Sequence, residues 1–247
     1  MSIETKADWR GLREVGRVVG LTLQTLARKV SAGVTTGELD ALAAALIATH
    51  GARSAPAMVY GFPGTVLISV NDEVVHGIPG PRRLRDGDLV TLDVTLEKGG
   101  YVADAARTLV VGAGSPDAQR LARCARDAFD AALAVARVGT RVNAIGRAVS
   151  REVRRQGFSV VRGLCGHGVG RTIHEPPTVA NEYEPWQRDI LTDGLVLTIE
   201  PMVSAGAADP VEDADGWTLR TIDGSLSAHY EDTLVITSDG PVILTAA

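Results

Sequence analysis

Several common features are scarce in this sequence of 247 residues, and each absence excludes a class of protein. Only two cysteines occur, Cys124 and Cys165, so a disulfide framework is excluded and two free thiols are expected. The first residues are polar and charged, without the apolar core of a signal peptide. No apolar run approaches the roughly 20 residues that span a bilayer. We therefore expect a cytoplasmic protein that does not interact with membranes.

Acidic residues outnumber basic residues, 30 to 25. The net charge is −5, which argues against a general nucleic-acid-binding protein, because such a surface must offset phosphate charge. The phosphate loop GxxxxGK[ST], the nucleophile elbow GxSxG and the zinc motif HExxH are all absent. Hydrophobic residues make up 45%, as in ordinary globular proteins. We expect one domain over residues 1–247, with residues 1–7 as a flexible N-terminus.

Apolar residues at helical spacing predict two pairs of helices. The first pair covers residues 7–30 and the stretch from Thr35 to Gly51, and the second pair covers 116–138 and 143–155. Residues 52–87 are rich in glycine and proline and predict short strands and loops. Residues 88–112 predict a β-hairpin that turns around residues 98–100, and 194–206 predict one strand. Further short strands are expected in 217–245.

The two halves of the chain resemble each other. A helix pair ends at Gly51 in the first half and at Gly157 in the second, an offset of 106 residues. The segment DGDLVTLD, which ends at Asp93, resembles DGLVLTIE, which ends at Glu200, at an offset of 107 residues. Two concordant offsets favour an internal duplication of an α+β unit. The alternative is chance similarity among short amphipathic segments.

Acidic residues stand within the predicted strands. If the hairpin turns on Lys98 and Gly99, Asp93 lies directly opposite Asp104, with Cβ atoms about 4.5–5.5 Å apart. A turn one residue later would move this pairing. Two like charges at that spacing repel each other unless a cation lies between them. The alternative is an ordinary solvated face of the strand.

Two further acids adjoin apolar strands. Glu200 follows the run LVLTI, and Glu231 precedes TLVIT, so both carboxylates are expected to be buried and to need a partner. The duplication would bring the two acidic strand pairs together at the centre of one sheet.

Histidines complete the candidate site. Three of the five, His76, His167 and His174, lie among glycines or prolines, and we interpret these segments as loops that approach a ligand closely. One histidine with four carboxylates is a mostly oxygen donor set, which suits Mn, Fe(II), Co or Mg better than a closed thiolate zinc site. Five ligands are too many for one catalytic ion and suit two ions about 3.5–4 Å apart.

Taken together, six motifs of the chain resemble those of a known family. NDEVVHGIP, DGDLVTLDVT, GGYVAD, CGHGVGRTIHEPP, LTIEPM and SLSAHYEDTLVIT together are similar to type I methionine aminopeptidases, from residue 8 to the end of the chain. The resemblance implies the pita-bread fold of M24-type metallopeptidases, an internally duplicated α+β fold with an antiparallel sheet and helices on its outer face. It also implies cotranslational removal of the N-terminal methionine, by metal-hydroxide hydrolysis, from polypeptides whose second residue is small and uncharged.

The same resemblance assigns roles to residues. Two divalent ions (Co, Mn, Fe(II) or Zn) would be held by five ligands, of which Asp104 and Glu231 bridge the ions. Glu200 would also act as general base, His174 would bind the scissile carbonyl and the oxyanion, and His76 would lie near the scissile nitrogen. The five implied metal ligands are Asp93, Asp104, His167, Glu200 and Glu231.

The resemblance also implies an apolar pocket for the methionine side chain and a small pocket for the second residue. Because the chain begins Met1-Ser2, it would be a substrate of its own activity. Some positions depart from the family pattern. Residues 103–106 read ADAA where GDTS is common, so hydroxyls that could support the ligands are absent there. Leu67 and Val75 stand where cysteines are frequent, and Ile173 where an aromatic is usual. The implied pocket residues are Val59, Phe62, Leu67, Ile173 and Trp217.

The partners implied are the N-termini of nascent polypeptides, with transient association with the ribosome and a monomeric enzyme. Two alternatives remain open. Proline-specific aminopeptidases and dipeptidases share the fold but usually carry an additional N-terminal domain, for which this chain has no room. A non-catalytic binding protein on this fold would be expected to lose ligands, and all five are present.

Overall fold

The computed structural model describes residues 1–246 and contains five helices and fourteen strands in that range. The helices are α1 (Lys6–Ala27), α2 (Thr36–Thr49), α3 (Ala55–Tyr60), α4 (Pro116–Val135) and α5 (Asn143–Arg155). The strands are β1 (Arg53–Ser54), β2 (Leu67–Val70), β3 (Glu73–Val75), β4 (Leu89–Lys98), β5 (Tyr101–Val110), β6 (Ser159–Val160), β7 (Cys165–Gly168), β8 (Glu175–Ala180), β9 (Val196–Ile199), β10 (Met202–Ser204), β11 (Pro210–Glu212), β12 (Leu219–Thr221), β13 (Ser227–Thr237) and β14 (Gly240–Ile243).

The four long helices occur where the apolar spacing predicts them. Thr5 and Thr35 form capping boxes at the starts of α1 and α2, because each hydroxyl accepts an N–H bond and an acid three residues later bonds back. α3 is a helix that the sequence analysis missed, since residues 52–87 predicted only strands and loops. Its signals are local: Ser54 caps the N-terminus and Gly61 ends the helix at a φ of 73°.

The main sheet is antiparallel, and its strand order is β1-β4-β5-β13-β9-β7-β8. The β4–β5 hairpin and the β9–β13 pair therefore meet at the centre, where β5 pairs with β13. α1 and α2 pack over the first half, where Leu92 and Val94 join their core, and α4 and α5 pack over the second half with Leu197 and Ile236. The side chains that alternate with these apolar residues, beginning with Asp93, face away from the helices.

Backbone hydrogen bonds repeat between the halves at the predicted offsets. The N–H of Gly33 donates to the carbonyl of Leu84 at 2.8 Å, and the N–H of Gly139 donates to the carbonyl of Leu191 at 2.8 Å. These pairs are related by 106 and 107 residues, as are the helix ends and the acidic strands. The repeat in hydrogen bonding confirms the internal duplication.

Two segments differ from the prediction. Residues 194–206 do not form one strand, because β9 ends at Ile199 and β10 begins at Met202. The break falls at Glu200-Pro201, where proline has no N–H to continue a ladder. The loop predicted around His167 is the strand β7, which pairs with β8 and β9.

The N-terminal residues have defined backbone partners, where the sequence led us to expect a flexible segment. The carbonyl of Met1 accepts an N–H bond from Val196 at 2.8 Å, and Ile3 donates to the carbonyl of Gly194 at 2.7 Å. Both cysteines are free thiols, as predicted. Within residues 1–246 we find no helix with the length and apolar character needed to cross a membrane.

Candidate metal centre and substrate cleft

The β4–β5 hairpin places two of the predicted ligands on one face of the sheet. The turn falls on Gly99 and Gly100, at φ values of 59° and 81°, and not on Lys98 and Gly99. Glycine favours this left-handed backbone, which a two-residue hairpin turn requires at both positions. The direct pairing of Asp93 with Asp104 is therefore wrong. Asp93 lies opposite Ala106, and Asp104 is its diagonal neighbour on the same face.

Strand β13 brings a third carboxylate to this face. Glu231 pairs with Ala106 from the side opposite to Asp93, so the two acids flank one alanine across three strands. The methyl group of Ala106 is small, which leaves space between the two carboxylates. Asp104 is held by Thr233, whose hydroxyl accepts the Asp104 N–H and donates to the Asp104 carbonyl, both at 2.8 Å.

Thr198 on β9 links the fourth carboxylate to the predicted histidine ligand. Its hydroxyl donates to Glu200 Oε1 at 2.8 Å and accepts the backbone N–H of His167 at 3.1 Å. His167 Nε2 lies 3.4 Å from Glu200 Oε1, and its Nδ1 lies 2.9 Å from the carbonyl of Gly168. A proton on Nδ1 donates to that carbonyl and leaves the Nε2 lone pair free, which is the usual state of a metal-binding imidazole.

The cluster concentrates negative charge in a buried place. Asp104, Glu200 and Glu231 are 6%, 7% and 1% exposed. Burial raises the pKa of Asp104 to about 6. Burial, and then repulsion by neighbouring acids, raises the pKa of Asp93, Glu200 and Glu231 well above their ordinary values.

Several oxygens of the cluster lack partners. Within the described part of the chain, Asp93 Oδ1, Asp104 Oδ1 and Glu231 Oε1 are buried and accept no hydrogen bond. Buried carboxylates need cations or donors, so these oxygens fit a centre that holds divalent ions. Donor atoms of Asp104, His167 and Glu231 all lie within 4.8 Å of one another, close enough to share an ion.

A second group of donors includes a histidine to which the sequence analysis assigned no role. Donor atoms of Asp93, His229 and Glu231 also lie within 4.8 Å of one another. His229 is 2% exposed, and burial, followed by the charges of His76 and Arg107, lowers its pKa to about 3. A signal was present, since His229 stands two residues before Glu231 and alternation puts both on one face of a strand.

His174 and His76 lie beside the cluster without belonging to it. The imidazoles of His174 and His167 are edge to face, with ring centroids 4.4 Å apart. The hydroxyl of Tyr60 lies 2.6 Å from His174 Nδ1, a contact that the sequence analysis missed. Desolvation lowers the pKa of both His174 and His76, so both imidazoles are neutral near neutral pH. His76 follows β3 at a φ of 62°, an uncommon backbone state for a histidine.

A cleft of about 1610 Å³ opens above the cluster. Phe62, Leu67 and Ile173 line it and are almost fully buried, and the rings of Phe62 and Trp217 meet edge to face at 5.3 Å. Val59, which we expected in this wall, is not among the lining residues and is 56% exposed. It lies on α3 and is directed outward, so its neighbour Tyr60 contributes to the wall in its place.

The hydroxyls missing from residues 103–106 are supplied by other strands. Thr95 lies opposite Asp104 on β4, where its hydroxyl lowers the pKa of the Asp104 carboxyl, and the Thr233 hydroxyl holds the Asp104 backbone. Thr198 supports Glu200 and His167 in the second half. The ADAA sequence therefore leaves Asp104 with supporting hydroxyls.

A buried set of carboxylates and imidazoles beneath an apolar cleft, on a duplicated antiparallel sheet, defines a metallopeptidase of the pita-bread class. The chain belongs to metallopeptidase family M24, whose sequence profile matches residues 10–238. This membership confirms the predicted class of metal-dependent peptidase.

Within the family the chain is similar to methionine aminopeptidases. Methionine aminopeptidase 2 of Bacillus subtilis strain 168 is 43% identical over 247 residues, covering 99% of both chains. The crystal structure of methionine aminopeptidase from Thermotoga maritima superposes with a TM-score of 0.97 at 33% identity and covers 100% of both chains.

A prolidase from Pyrococcus furiosus shares the fold alone, with a TM-score of 0.80, 22% identity, and coverage of 99% of this chain but 65% of its own. These likenesses confirm the predicted fold and the resemblance read from the motifs.

Proposed function

We propose that the chain removes methionine from the N-termini of polypeptides whose second residue is small and uncharged. The observation that carries this proposal is the buried cluster of four carboxylates and His167 at the floor of an apolar cleft, in a chain similar to methionine aminopeptidases over its full length. The methionine side chain would lie against Phe62, Leu67 and Ile173, which are buried, apolar and adjacent to the cluster.

Five residues would hold two divalent ions, with Asp104 and Glu231 shared between them. When bound, the ions would act as Lewis acids and lower the pKa of water to near neutrality. This shared role is the one that the family resemblance implies, and it is supported by the burial of both carboxylates and by the oxygen that each has without a partner. The full set would be Asp93, Asp104, His167, Glu200 and Glu231.

Glu200 would accept the proton of the attacking water. Its carboxylate is held by one hydroxyl, that of Thr198, through Oε1, which leaves Oε2 facing the cluster. A carboxylate fixed in this way is oriented before the substrate arrives, which is the condition for efficient general base catalysis.

His174 would stabilise the oxyanion of the scissile carbonyl. When the Tyr60 hydroxyl donates to Nδ1 of His174, the ring proton must reside on Nε2, which can then donate to the developing charge. Because burial keeps this imidazole neutral, it stabilises the oxyanion as a hydrogen-bond donor without carrying a full charge. His76, which also lines the cleft, would contact the scissile nitrogen.

Other expectations remain proposals. They are the number and identity of the ions, the chain as one catalytic domain over residues 1–247, a monomeric state, transient ribosome association and a cytoplasmic location. Nascent N-termini are available at the ribosome in that compartment, which supports the last two.

The test is a substrate panel with defined metal. Metal-free protein, reloaded separately with Mn, Co, Fe(II) or Zn, is assayed on Met-Ala-Ser, Met-Leu-Ser and Ala-Pro-Ala. We expect metal-dependent cleavage of Met-Ala-Ser alone. Cleavage of Ala-Pro-Ala but not Met-Ala-Ser would replace the proposal with proline-specific hydrolysis. Absence of both metal binding and cleavage would favour a non-catalytic binding protein.

A further inference from the structure

His229 is a buried imidazole for which the proposed reaction has no use. It lies on β13, where alternation places Ser227, His229, Glu231 and Thr233 on one face of the strand. Its exposed fraction is 2%, so solvent does not satisfy the ring. Neither Nδ1 nor Nε2 has a hydrogen-bond partner among residues 1–246. A buried polar group without a partner is destabilising, so an ordinary core role does not account for this residue.

The position of the ring indicates that its missing partner is a metal ion. His229 Nε2 lies 3.7 Å from Glu231 Oε2 and 3.9 Å from Glu200 Oε2, too far for hydrogen bonds. Two donors that each sit about 2.0–2.2 Å from one ion are separated by about 3 Å when adjacent and about 4 Å when opposite. The separation from Glu231, which would serve both ions, falls within this range. Donor atoms of His229, Asp93 and Glu231 all lie within 4.8 Å of one another.

The two histidines divide between the two halves of the cluster. His167 shares its donor group with Asp104 and Glu231, whereas His229 shares its group with Asp93 and Glu231. Glu231 is common to both groups, as expected of a bridging carboxylate. We propose that His229 is a sixth protein ligand of this centre, binding through Nε2 the ion that Asp93 serves, so that each ion has one imidazole. This inference rests on the metal centre proposed above.

A second imidazole changes which metals the centre prefers. Imidazole suits Zn, Cu, Fe and Ni, whereas an all-carboxylate site suits Mg and Mn, and Co binds a given site more tightly than Mn. With His229 coordinated, the Asp93 side of the centre should discriminate in favour of Zn and Co. Replacing His229 with glutamine should therefore weaken the binding of Zn and Co much more than the binding of Mn. Removing a residue that only supports a ligand lowers metal affinity by roughly 10–100-fold. Removing the ligand itself should lower the Zn affinity by at least that factor.

The direct test counts imidazole ligands by proton NMR of Co(II)-loaded protein. A ligating histidine keeps its proton on the other ring nitrogen, and that proton gives an exchangeable signal shifted far outside the diamagnetic range. We expect two such signals in the wild-type protein, one from His167 and one from His229. His229→Gln should lose one signal, and the control His50→Gln should keep both, since His50 lies at the end of α2, away from the cluster.

Zn and Mn affinities of His229→Gln, measured by chelator competition, provide a readout independent of activity. A single shifted signal in the wild-type protein, unchanged in His229→Gln, would overturn the proposal while leaving the five-ligand centre intact. Equal losses of Zn affinity and Mn affinity in His229→Gln would also contradict the proposal. If Co(II) does not bind at all, the metal centre and the proposed function fall together. The wild-type signal count decides the question even if His229→Gln does not fold.

Discussion

Replacing one metal ligand with its neutral isostere should stabilise the metal-free protein. Asp104 is 6% exposed and its pKa is raised from 3.8 to about 6, chiefly by burial. A group whose pKa is raised by folding contributes stability at low pH that is lost as the pH rises through the folded value. At pH 8 the charged Asp104 therefore costs about 3 kcal/mol, from about two pKa units at about 1.4 kcal/mol each.

Asp104→Asn removes that cost without changing the volume of the side chain. For a protein of this size, about 3 kcal/mol corresponds to a rise of about 6–12 °C in Tm. The assay is calorimetry of exhaustively chelated protein at pH 8, repeated at lower pH, where the gain should shrink toward zero below the ordinary pKa of 3.8. With saturating Zn the wild-type protein should have the higher Tm, because ion binding stabilises the wild-type fold far more than that of the variant.

A matched control is Asp8→Asn, at a carboxylate outside the cluster. Hydrogen bonds, first from the Thr5 hydroxyl, lower the pKa of Asp8 to about 2. Its carboxylate thus contributes stability above pH 3.8, so this variant should lower the Tm at pH 8 whether or not metal is present. If Asp104→Asn also lowered the Tm of the chelated protein at pH 8, burial of the Asp104 charge would not carry the cost assigned to it.

Three further substitutions test separate parts of the site. Tyr60→Phe removes the hydroxyl that fixes the His174 tautomer, so kcat should fall by up to about 10-fold, equivalent to one hydrogen bond, with Zn affinity unchanged by calorimetric titration. Thr198→Val should weaken Zn binding about 10–100-fold, because the hydroxyl orients both Glu200 and His167; unchanged affinity would remove it from the site. Trp217→Ala should raise KM for methionyl peptides in steady-state assays more than it lowers kcat, since the ring packs on Phe62 in the cleft wall.

Much of the fold could be predicted because it depends on local patterns. The long helices follow from apolar spacing and capping residues, and the duplication follows from two matching offsets. The helix α3 and the break at Pro201 were missed even though their signals, Ser54, Gly61 and Pro201, are in the sequence. Periodicity is read over windows longer than these elements, so single capping or breaking residues in glycine- and proline-rich segments do not register in it.

The candidate site was predictable as a set of residues but not as a geometry. Alternation correctly put Asp93 and Asp104 on one face, yet the register depended on which two residues form the turn, and the φ values of Gly99 and Gly100 decided it. Val59 and Tyr60 are neighbours on one short helix, and only the packing of that helix shows which side chain enters the cleft. The support that Thr233 gives Asp104 likewise joins residues far apart in the chain.

The most direct measurement is the position of the bound ions. Crystals grown with Zn and examined by anomalous diffraction should show two ions about 3.5–4 Å apart. Both ions should contact Asp104 and Glu231, one should also contact His167 and Glu200, and the other should contact Asp93. A single ion held elsewhere on the protein, or no ion at this cluster in catalytically active crystals, would contradict a two-metal centre as the site of reaction.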